Sequence, residues 1–590
     1  MIRGLGDAAK KLGIAVENKS SKGQPPGNKG SKPQDNSPPE NNLEQIPMMY
    51  RAQVSGRCSL QFAGNNADLE QWREEWVYPN SQNNNQPRYQ RREPQLGLDG
   101  KIYRIKIHFP FRLSTNCGQD SILRPVLGKN GIPIIPGSSI KGLFRRACSP
   151  QQATKYCGDD KDLIPGSLRF HGAYPIDDWA GTKKVTVRRQ GKDISQTRYR
   201  IVDVIHPQQQ RQVEGENSPK ALATISFYQP TLIFELSSTD PQVKWEEVET
   251  ILKQAIQQGV GGKTSTGYGL GGHPPNQAPS LPSYPLNVSF KGIGVSPLLR
   301  SDEPEFRPNL FKATFRGHVR RLLGGVCNNE KAIKQAENNF FGSSEAPGIV
   351  QIFWESRQEI YNAQDSNPTY ETEGVLHINA SQTDLRFLEW VLKFAFIMGG
   401  FGKSWRRVFH KKFYSEYVKR RGIHIGCHWQ SLDSNWLNMK TSADLQKFLE
   451  DLYGVCCQRL GSKPPQPMNW REAWHPKCIA VYSKLVNKSE VVELFHNETF
   501  KTTPAIGGRN QGDIRPFFVS SVWHRMLPVG EKYLEIVTVF HGDAALQSRS
   551  GTPNSPWRHR TQGDQLQPFI ERLEQAQLQL TWGTRPSFKT

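Results

Sequence analysis

Alternating apolar and basic positions predict the clearest strand of the chain. From 103 to 109, basic residues separate four apolar ones: Tyr103, Ile105, Ile107 and Phe109. This period of two is typical of a strand with one buried face. The apolar runs Leu168–Phe170 and Leu232–Leu236 predict two more short strands. Helices are predicted to begin near Ser138 and Trp245, so strands and helices alternate along this part of the chain.

Several elements occur twice in the same order. Two amphipathic helices each lead into a glycine-rich loop: Trp245, Val248, Leu252 and Ala255 precede Gly261–Gly269, and Leu385, Leu388, Leu392 and Ala395 precede Gly399–Arg407. Upstream, two further pairs correspond: Pro136–Arg146 with Arg307–Arg321, and Tyr156–Phe170 with Phe341–Ile352. Matched elements in one order indicate two copies of a domain.

The composition agrees with two large domains, because 590 residues exceed what one hydrophobic core usually supports. Residues 1–49 are predicted to be a flexible basic arm. Domain 1 is placed at 50–273, a proline-rich linker at 274–285, and domain 2 with a C-terminal extension at 286–590. Strands near Tyr533–Val539 are expected to complete domain 2.

Net charge indicates the class of partner. The chain has 76 Lys and Arg against 55 Asp and Glu, a formal charge of +21, which favours a polyanion such as nucleic acid. A basic protein without such a partner is the alternative. The richest apolar run, Phe387–Phe401, contains Glu389 and Lys393 and is too short to span a bilayer. With no signal-peptide pattern at the N-terminus, we expect a cytoplasmic protein.

The repeated helix carries a candidate phosphate-binding surface. Pro136 and Gly137 are followed by serines that could cap the helix. Cations on one face of the helix come next. The candidates in the first copy are Ser138, Ser139, Lys141, Arg145 and Arg146, and those in the second are Lys312 and Arg316. The alternative is an ordinary capped helix whose charges face water.

The glycine-rich loops and one basic segment are the other candidates. Glycines would let the backbone approach RNA, with cations beside it: Gly261, Gly262, Lys263, Lys403, Arg406 and Arg407. A structural helix end is the alternative. The segment from 183 to 200 has seven cations between apolar residues and is predicted to form a hairpin that projects from domain 1. Its candidates are Lys183, Lys184, Arg188 and Arg189. A solvated charge run explains that segment equally well.

Taken together, these motifs resemble those of the RAMP superfamily of CRISPR-associated proteins, and in particular the backbone subunits (the Cas-seven family) of type III effector complexes. The resemblance covers about Tyr50–Gly272 well and Leu286–Lys412 more loosely. It implies an α+β fold with two tandem ferredoxin-like (RRM-like, βαββαβ) domains with insertions. It also implies that a CRISPR guide RNA is bound and that the insertion near 183–200 is a thumb-like hairpin at the guide:target duplex.

The resemblance also implies an endoribonuclease that cleaves target RNA once the chain is assembled with other effector subunits in a filament-like complex. Asp120 matches the position of the catalytic Asp, and a divalent ion, Mg or Mn, would assist cleavage. In the second copy only Asp302, Glu303 and Glu305 precede the helix, so we expect guide binding without cleavage there, with Asp302 a distant candidate.

Two alternatives to target cleavage stay open. One is a scaffold subunit that binds guide RNA without catalysis. The other is a metal-independent endoribonuclease that processes precursor CRISPR RNA through a histidine, for which the candidates are His108, His171 and His318.

Overall fold

The computed structural model describes most of the chain beyond residue 92. The described residues are 93–119, 122–126, 132–159, 163–176, 179, 181–203, 225–262, 264, 268–271, 286–298, 304–343, 348–362, 367–402, 406–416, 426–461, 463–506, 521–541, 555–559 and 561–586. The predicted arm at 1–49 and the predicted linker at 274–285 lie outside them.

The first repeat alternates strands and helices. Its elements are β1 (Gly97–Asp99), β2 (Ile102–His108), β3 (Arg112–Leu113), β4 (Asn116–Gln119), β5 (Ile122–Pro125), α1 (Gly137–Ala147), α2 (Pro150–Cys157), β6 (Gly158–Asp159), β7 (Ile164–Pro165), β8 (Leu168–Pro175), β9 (Thr182–Arg189), β10 (Lys192–Tyr199), β11 (Ile201–Asp203), β12 (Ile225–Tyr228), β13 (Thr231–Ser238) and α3 (Trp245–Gln257). Each strand and helix start that the sequence predicted in this part is observed.

Four strands of the first repeat form an antiparallel sheet in the order β1-β2-β13-β8. Ile105 and Ile107 are buried, whereas Lys106 between them is exposed, so the predicted alternation is confirmed. Helices α1 and α3 pack on each other, and their apolar residues, such as Phe144 and Leu252, join the strands in one core. Short ladders β11-β12-β3, β4-β5 and β6-β7 complete this part.

The second repeat has the element order β-α-β-β-α-β, with two extra helices and one extra two-residue strand. Its elements are β14 (Leu286–Val295), α4 (Asn309–Gly324), α5 (Glu330–Phe341), β15 (Gln351–Asn362), β16 (Thr369–Asn379), α6 (Gln382–Met398), β17 (Arg406–Arg407), α7 (His410–Phe413) and β18 (Cys427–Ser431). Its own strands lie in the order β15-β16-β14-β18, all antiparallel. The two-residue strand β17 lies in another sheet.

The remainder of the chain builds a separate five-stranded sheet. Its elements are α8 (Ser434–Leu437), α9 (Ser442–Leu460), β19 (Ile479–Val486), a 3-10 turn (Leu494–His496), α10 (Glu498–Lys501), β20 (Val522–Val529), β21 (Lys532–Phe540), β22 (Arg558–His559), β23 (Gly563–Asp564), α11 (Leu566–Gln575) and β24 (Gln579–Gly583). The sheet order is β17-β20-β21-β19-β24. The predicted strand at Tyr533–Val539 is observed as part of β21 and lies in this sheet. If β17 is left aside and the other four strands are numbered along the chain, their order across the sheet is second, third, first, fourth. The four strands of the second repeat have the same order.

The second repeat and this third sheet share one hydrophobic core. Phe290 and Leu392 belong to the same buried cluster as Trp523 and Trp582. Helix α6 lies between the two sheets and is apolar on most of its circumference, with ten buried residues among its seventeen. This position explains the long apolar run at the end of α6. None of the described helices is both long and apolar enough to cross a membrane.

Candidate nucleic-acid interface

Helix α1 begins directly on strand β8 because Gly137 has no side chain. A Cβ on Gly137 would lie 1.9 Å from the carbonyl oxygen of Phe170, which no larger residue tolerates. Ser138 and Ser139 are exposed in the first turn. The prediction that one of them caps the helix is wrong: the residue before the helix is Pro136, and no side chain bonds the first amides.

The cations of α1 divide into one structural residue and two exposed ones. The Arg145 guanidinium donates a hydrogen bond to the carbonyl oxygen of Gly158 at 3.1 Å, which fastens α1 to the end of α2. Lys141 and Arg146 are exposed. No ion pair with either of them is found among the residues that the structure describes. These two cations therefore form the part of the predicted surface that is open to a phosphate.

The matching helix α4 of the second repeat uses its cations internally. Arg316 bonds Glu337 at 2.5 Å and the side chain of Asn338 at 3.1 Å, so it fastens α4 to α5 as Arg145 fastens α1 to α2. Burial, reinforced by the Arg316 charge, lowers the pKa of Lys312. Arg320 and Arg321 pair with Glu330 and Glu472. The two copies share a helix, but in the second the charge is largely neutralised.

The duplicated glycines downstream have the same structural role in both copies. Gly158 and Gly342 end their helices with φ of 95° and 83°. A Cβ on Gly166 would lie 2.3 Å from the carbonyl oxygen of Tyr156, and one on Gly348 would lie 2.4 Å from that of Phe340. In both repeats the chain entering the second strand therefore presses against the preceding helix end, which accounts for this motif without RNA.

The first glycine-rich loop closes on the strand that precedes the β4–β5 hairpin. The Gly262 amide donates to the carbonyl oxygen of Ser114 at 2.7 Å, and the Val260 amide donates to that of Gly269 at 2.9 Å. A Cβ on Gly261 would lie 2.2 Å from the Ser114 oxygen. Lys263 lies outside the described residues. The predicted close backbone approach is present here, but towards the protein's own strand.

The candidate Asp120 lies outside the described residues. The described strands before and after it, β4 and β5, form a hairpin in which Gln119 pairs with Ile122. At the other end, the Val126 amide donates to the carbonyl oxygen of Thr115 at 2.7 Å. The hairpin therefore leaves the body of the first repeat between the glycine-rich loop and the chain entering α1.

The basic segment at 183–200 does form a hairpin, but it docks on the second repeat. Strand β9 pairs in parallel with β15 at Thr186 and Val187, which extends that sheet to six strands. Arg188 bonds Asp193 at 2.8 Å and Glu371 at 2.6 Å. The expectation of a projecting hairpin is not met, because the buried Val187 edge pairs with the sheet of the other repeat.

The cations of this hairpin have different surroundings. The Lys183 ammonium lies 2.8 Å from the ring centroid of Tyr228, and burial, together with the charge of Arg112, lowers its pKa. Lys184 and Arg189 are exposed. Only these two of the four candidates are placed as an RNA contact would require.

The loop before α4 in the second repeat forms a contact between the repeats. Glu305 is buried and accepts hydrogen bonds from Arg112 of the first repeat and from Arg307, the latter at 2.8 Å. Burial opposes ionisation of Glu305, but the two guanidinium groups outweigh it and hold its pKa below the usual value. Asp302 lies outside the described residues. Sequence reasoning missed this contact because Arg112 and Glu305 are 193 positions apart.

The second glycine-rich loop packs against strand β18. A Cβ on Gly400 would lie 2.9 Å from the Trp429 ring, and one on Gly402 would lie 2.7 Å from the sulfur of Cys427. Arg406 and Arg407 form strand β17, which pairs in parallel with β20, and their side chains lie outside the description. Lys403 lies outside it as well.

Acidic side chains accompany the cations on both open sheet faces. In the first repeat, Arg104 pairs with Asp99 and Glu235, and Lys106 pairs with Glu93. On the second sheet, acidic residues stand on the neighbouring strands β15 and β16: Glu355, Glu371 and Glu373. Arg169 on β8 and Lys291 on β14 are exposed, but they share their faces with these acids, so the exposed cations of α1 and of the β9–β10 hairpin are the better candidates for phosphate contact.

The candidate histidines have structural surroundings. His318 is buried between the rings of Phe394 and Trp523. A ring nitrogen of His108 lies 3.1 Å from the Thr231 hydroxyl, and one of His171 lies 2.8 Å from a serine hydroxyl. Within the described part of the chain, no group of three or more His, Cys, Asp or Glu side chains converges as a metal site would require.

Comparison with known proteins gives one family match, within the first repeat. Residues 121–270 match the model of the RAMP superfamily. The structure of Cmr1 from Pyrococcus furiosus (apo form) is similar, with 16% identity and a TM-score of 0.32, over 50% of this chain and 98% of that one. The structure of Cmr6 from Pyrococcus furiosus has 17% identity and a TM-score of 0.18, over 30% of this chain and 98% of that one. Both TM-scores are low, so neither structure extends the assignment. No curated protein matches the sequence.

Proposed function

We propose that the chain is a backbone subunit of a type III CRISPR effector complex that binds the guide RNA, because residues 121–270 match the model of the RAMP superfamily. The observation that carries this proposal is the exposed pair Lys141 and Arg146 within the matched segment. The partners would be the guide RNA, its target RNA and other effector subunits.

We also propose that the first and second repeats are tandem ferredoxin-like modules. The order of strands supports this: the second repeat has β15-β16-β14-β18, the order of a βαββαβ module, and the first has the corresponding β8-β13-β2, with β1 beside β2. Among the described residues, the strand that ends such a module has no counterpart after α3, and β1 occupies its place in the sheet. Both modules thus keep two helices on one face of an antiparallel sheet.

RNA binding is tested with the full chain expressed beside a CRISPR repeat array. We expect the purified protein to retain short repeat-derived RNA at modest ionic strength and to release it at high salt, because phosphate contacts are salt-dependent. Protein that is free of nucleic acid under those conditions, and that does not bind added RNA, would contradict the proposal.

Target cleavage at Asp120 is a further part of the proposal. It is supported by the resemblance of the sequence around Asp120 to the catalytic position of the family, and by the described hairpin strands β4 and β5, which precede α1. The described residues build no metal site, so a role for Mg or Mn is tested directly. We expect the assembled complex to cut target RNA with either ion, and to lose cleavage but keep RNA binding with Asp120→Ala. Unchanged cutting by Asp120→Ala would assign the reaction to other residues.

A non-catalytic scaffold is the second candidate, because the exposed cations of α1 would bind guide RNA without any catalytic group. It predicts guide binding and no cleavage with any divalent ion. Processing of precursor RNA through a histidine has no comparable support, since His318 is buried. Cleavage of a repeat RNA by the isolated chain in EDTA would favour processing.

A further inference from the structure

The short segment Arg112–Thr115 is held from the side of the glycine-rich loop. The carbonyl oxygen of Arg112 accepts a hydrogen bond from the Gly269 amide at 2.6 Å, and that of Ser114 accepts one from the Gly262 amide at 2.7 Å. Both are short backbone hydrogen bonds. These two hydrogen bonds therefore fix the position and direction of the segment that leads into the β4–β5 hairpin.

The same segment ends in the root of the hairpin. The carbonyl oxygen of Thr115 accepts from the Val126 amide at 2.7 Å, and the carbonyl oxygen of Val126 accepts from the Ile134 amide at 3.0 Å. A displacement of Thr115 is therefore transmitted to both strands of the hairpin, because β4 and β5 are paired along their length.

The second repeat holds the segment from the opposite direction. The Arg112 guanidinium forms a buried ion pair with Glu305. Glu305 lies in the connection from β14 to α4, and the hairpin lies in the corresponding connection from β2 to α1. Equivalent loops of the two repeats thus meet, one bearing the hairpin and the other a carboxylate that anchors the strand leading into it.

Gly261 is the position where the loop approaches the segment most closely. Its φ is +80°, and an added Cβ would lie 2.2 Å from the Ser114 carbonyl oxygen and 3.2 Å from the Ser114 carbonyl carbon. Both atoms are backbone, so relief requires movement of the segment itself. Gly191, at the tip of the β9–β10 hairpin, has nearly the same φ, +77°, with nothing within 4 Å of an added Cβ.

We infer that Gly261 and Glu305 are positioning residues, which set the β4–β5 hairpin against bound RNA through the Arg112–Thr115 segment. Gly261 acts by close contact and Glu305 by its ion pair with Arg112. The second repeat then contributes to the RNA surface of the first without binding RNA at that point. This inference rests on the proposed RNA-binding function.

The test compares two glycine substitutions with the same backbone strain. The full chain carries the photoreactive residue p-benzoylphenylalanine at position 119, at the end of β4, and is cross-linked to end-labelled single-stranded RNA. With Gly261→Ala we expect the cross-link yield to fall several-fold while RNA affinity stays close to that of Gly191→Ala, at a temperature at which circular dichroism shows both variants to be folded. Gly191→Ala should cross-link like the parent protein, because its Cβ meets no atom.

Glu305→Gln supplies the second variant, and circular dichroism first establishes the temperature below which it is folded. Under those conditions it should also lose cross-linking at position 119. Equal yields in Gly261→Ala, Glu305→Gln and Gly191→Ala would overturn the inference, and so would bound RNA that does not cross-link at position 119 in the parent. A chain that binds no RNA in any background instead contradicts the proposed function itself.

Discussion

Removing charge from helix α1 should weaken RNA binding, whereas removing charge from the equivalent helix α4 should not. Lys141 and Arg146 on α1 are exposed, whereas Arg316 and Arg320 on α4 pair with Glu337 and Glu330. We expect Lys141→Ala with Arg146→Ala to weaken RNA binding and flatten its salt dependence. Arg316→Ala with Arg320→Ala should change neither, although it loses partly exposed ion pairs.

The magnitude follows from counting phosphates. Each exposed cation neutralises at most one phosphate, and each contact with a single strand contributes about 0.7 to the slope of log K against log salt. The α1 double variant should therefore lower that slope by about 1.4. The assay is fluorescence anisotropy of dye-labelled single-stranded RNA over a series of KCl concentrations, with thermal unfolding measured alongside.

A control of equal charge separates local contact from net charge. Lys488, just after β19, and Lys532, at the start of β21, are exposed, so Lys488→Ala with Lys532→Ala removes the same two charges elsewhere. If this control flattens the slope as much as the α1 variant does, long-range attraction and not contact at α1 explains the binding. An unchanged slope in the α1 variant would refute α1 as the phosphate-binding helix.

Three further predictions concern stability. Glu305→Gln leaves two buried guanidinium groups without their carboxylate and should lower the free energy of unfolding by about 3–5 kcal/mol, as measured in a urea titration. Gly166→Ala forces a backbone clash and should cost about 1–3 kcal/mol in the same titration, whereas Gly454→Ala, where nothing lies within 4 Å of the Cβ, should cost nothing. Burial opposes ionisation of Glu535, but hydrogen bonds, chiefly from His524, outweigh it and lower its pKa. The stability that it contributes is therefore full above the ordinary Glu pKa and is lost as the pH falls, and Glu535→Gln should reduce that loss in thermal unfolding below pH about 4.5.

Periodicity and repetition predicted the elements of the fold well because both are local properties. The alternation around Ile105 and the helical spacing around Leu252 follow directly from which side chains are buried. The paired motifs predicted a duplication, and the structure shows the same helix-end contacts at Gly166 and Gly348. Neither property indicates what a buried face packs against, so the shared core around Trp523 could not be foreseen.

The third sheet shows the same limitation. Its strand order, β20-β21-β19-β24, matches that of the second repeat, yet no glycine or basic motif repeats in its sequence. Its short helices between β19 and β20 differ from the long α4 at the equivalent place. Topology is preserved here without the residues that made the first two copies recognisable. Close backbone approach occurs in the third sheet as well, since a Cβ on Gly583 would lie 1.8 Å from the carbonyl oxygen of Ile479, but there it is not part of a repeated motif.

The candidate site was predicted by residue type, and residue type alone does not distinguish a free cation from a paired one. Arg146 and Arg316 look alike in sequence, but Glu337 neutralises only the second, from 21 positions away on another helix. An exposed, unpaired cation attracts a phosphate, whereas the carboxylate of an ion pair cancels most of the positive potential of its guanidinium. The duplication produced two similar helices. Among the described residues, acidic partners neutralise the cations of α4 and not the exposed cations of α1, and their placement depends on the tertiary structure. Glu305 belongs to no local motif, and it connects the two repeats only because Arg112 lies beside it in the folded chain.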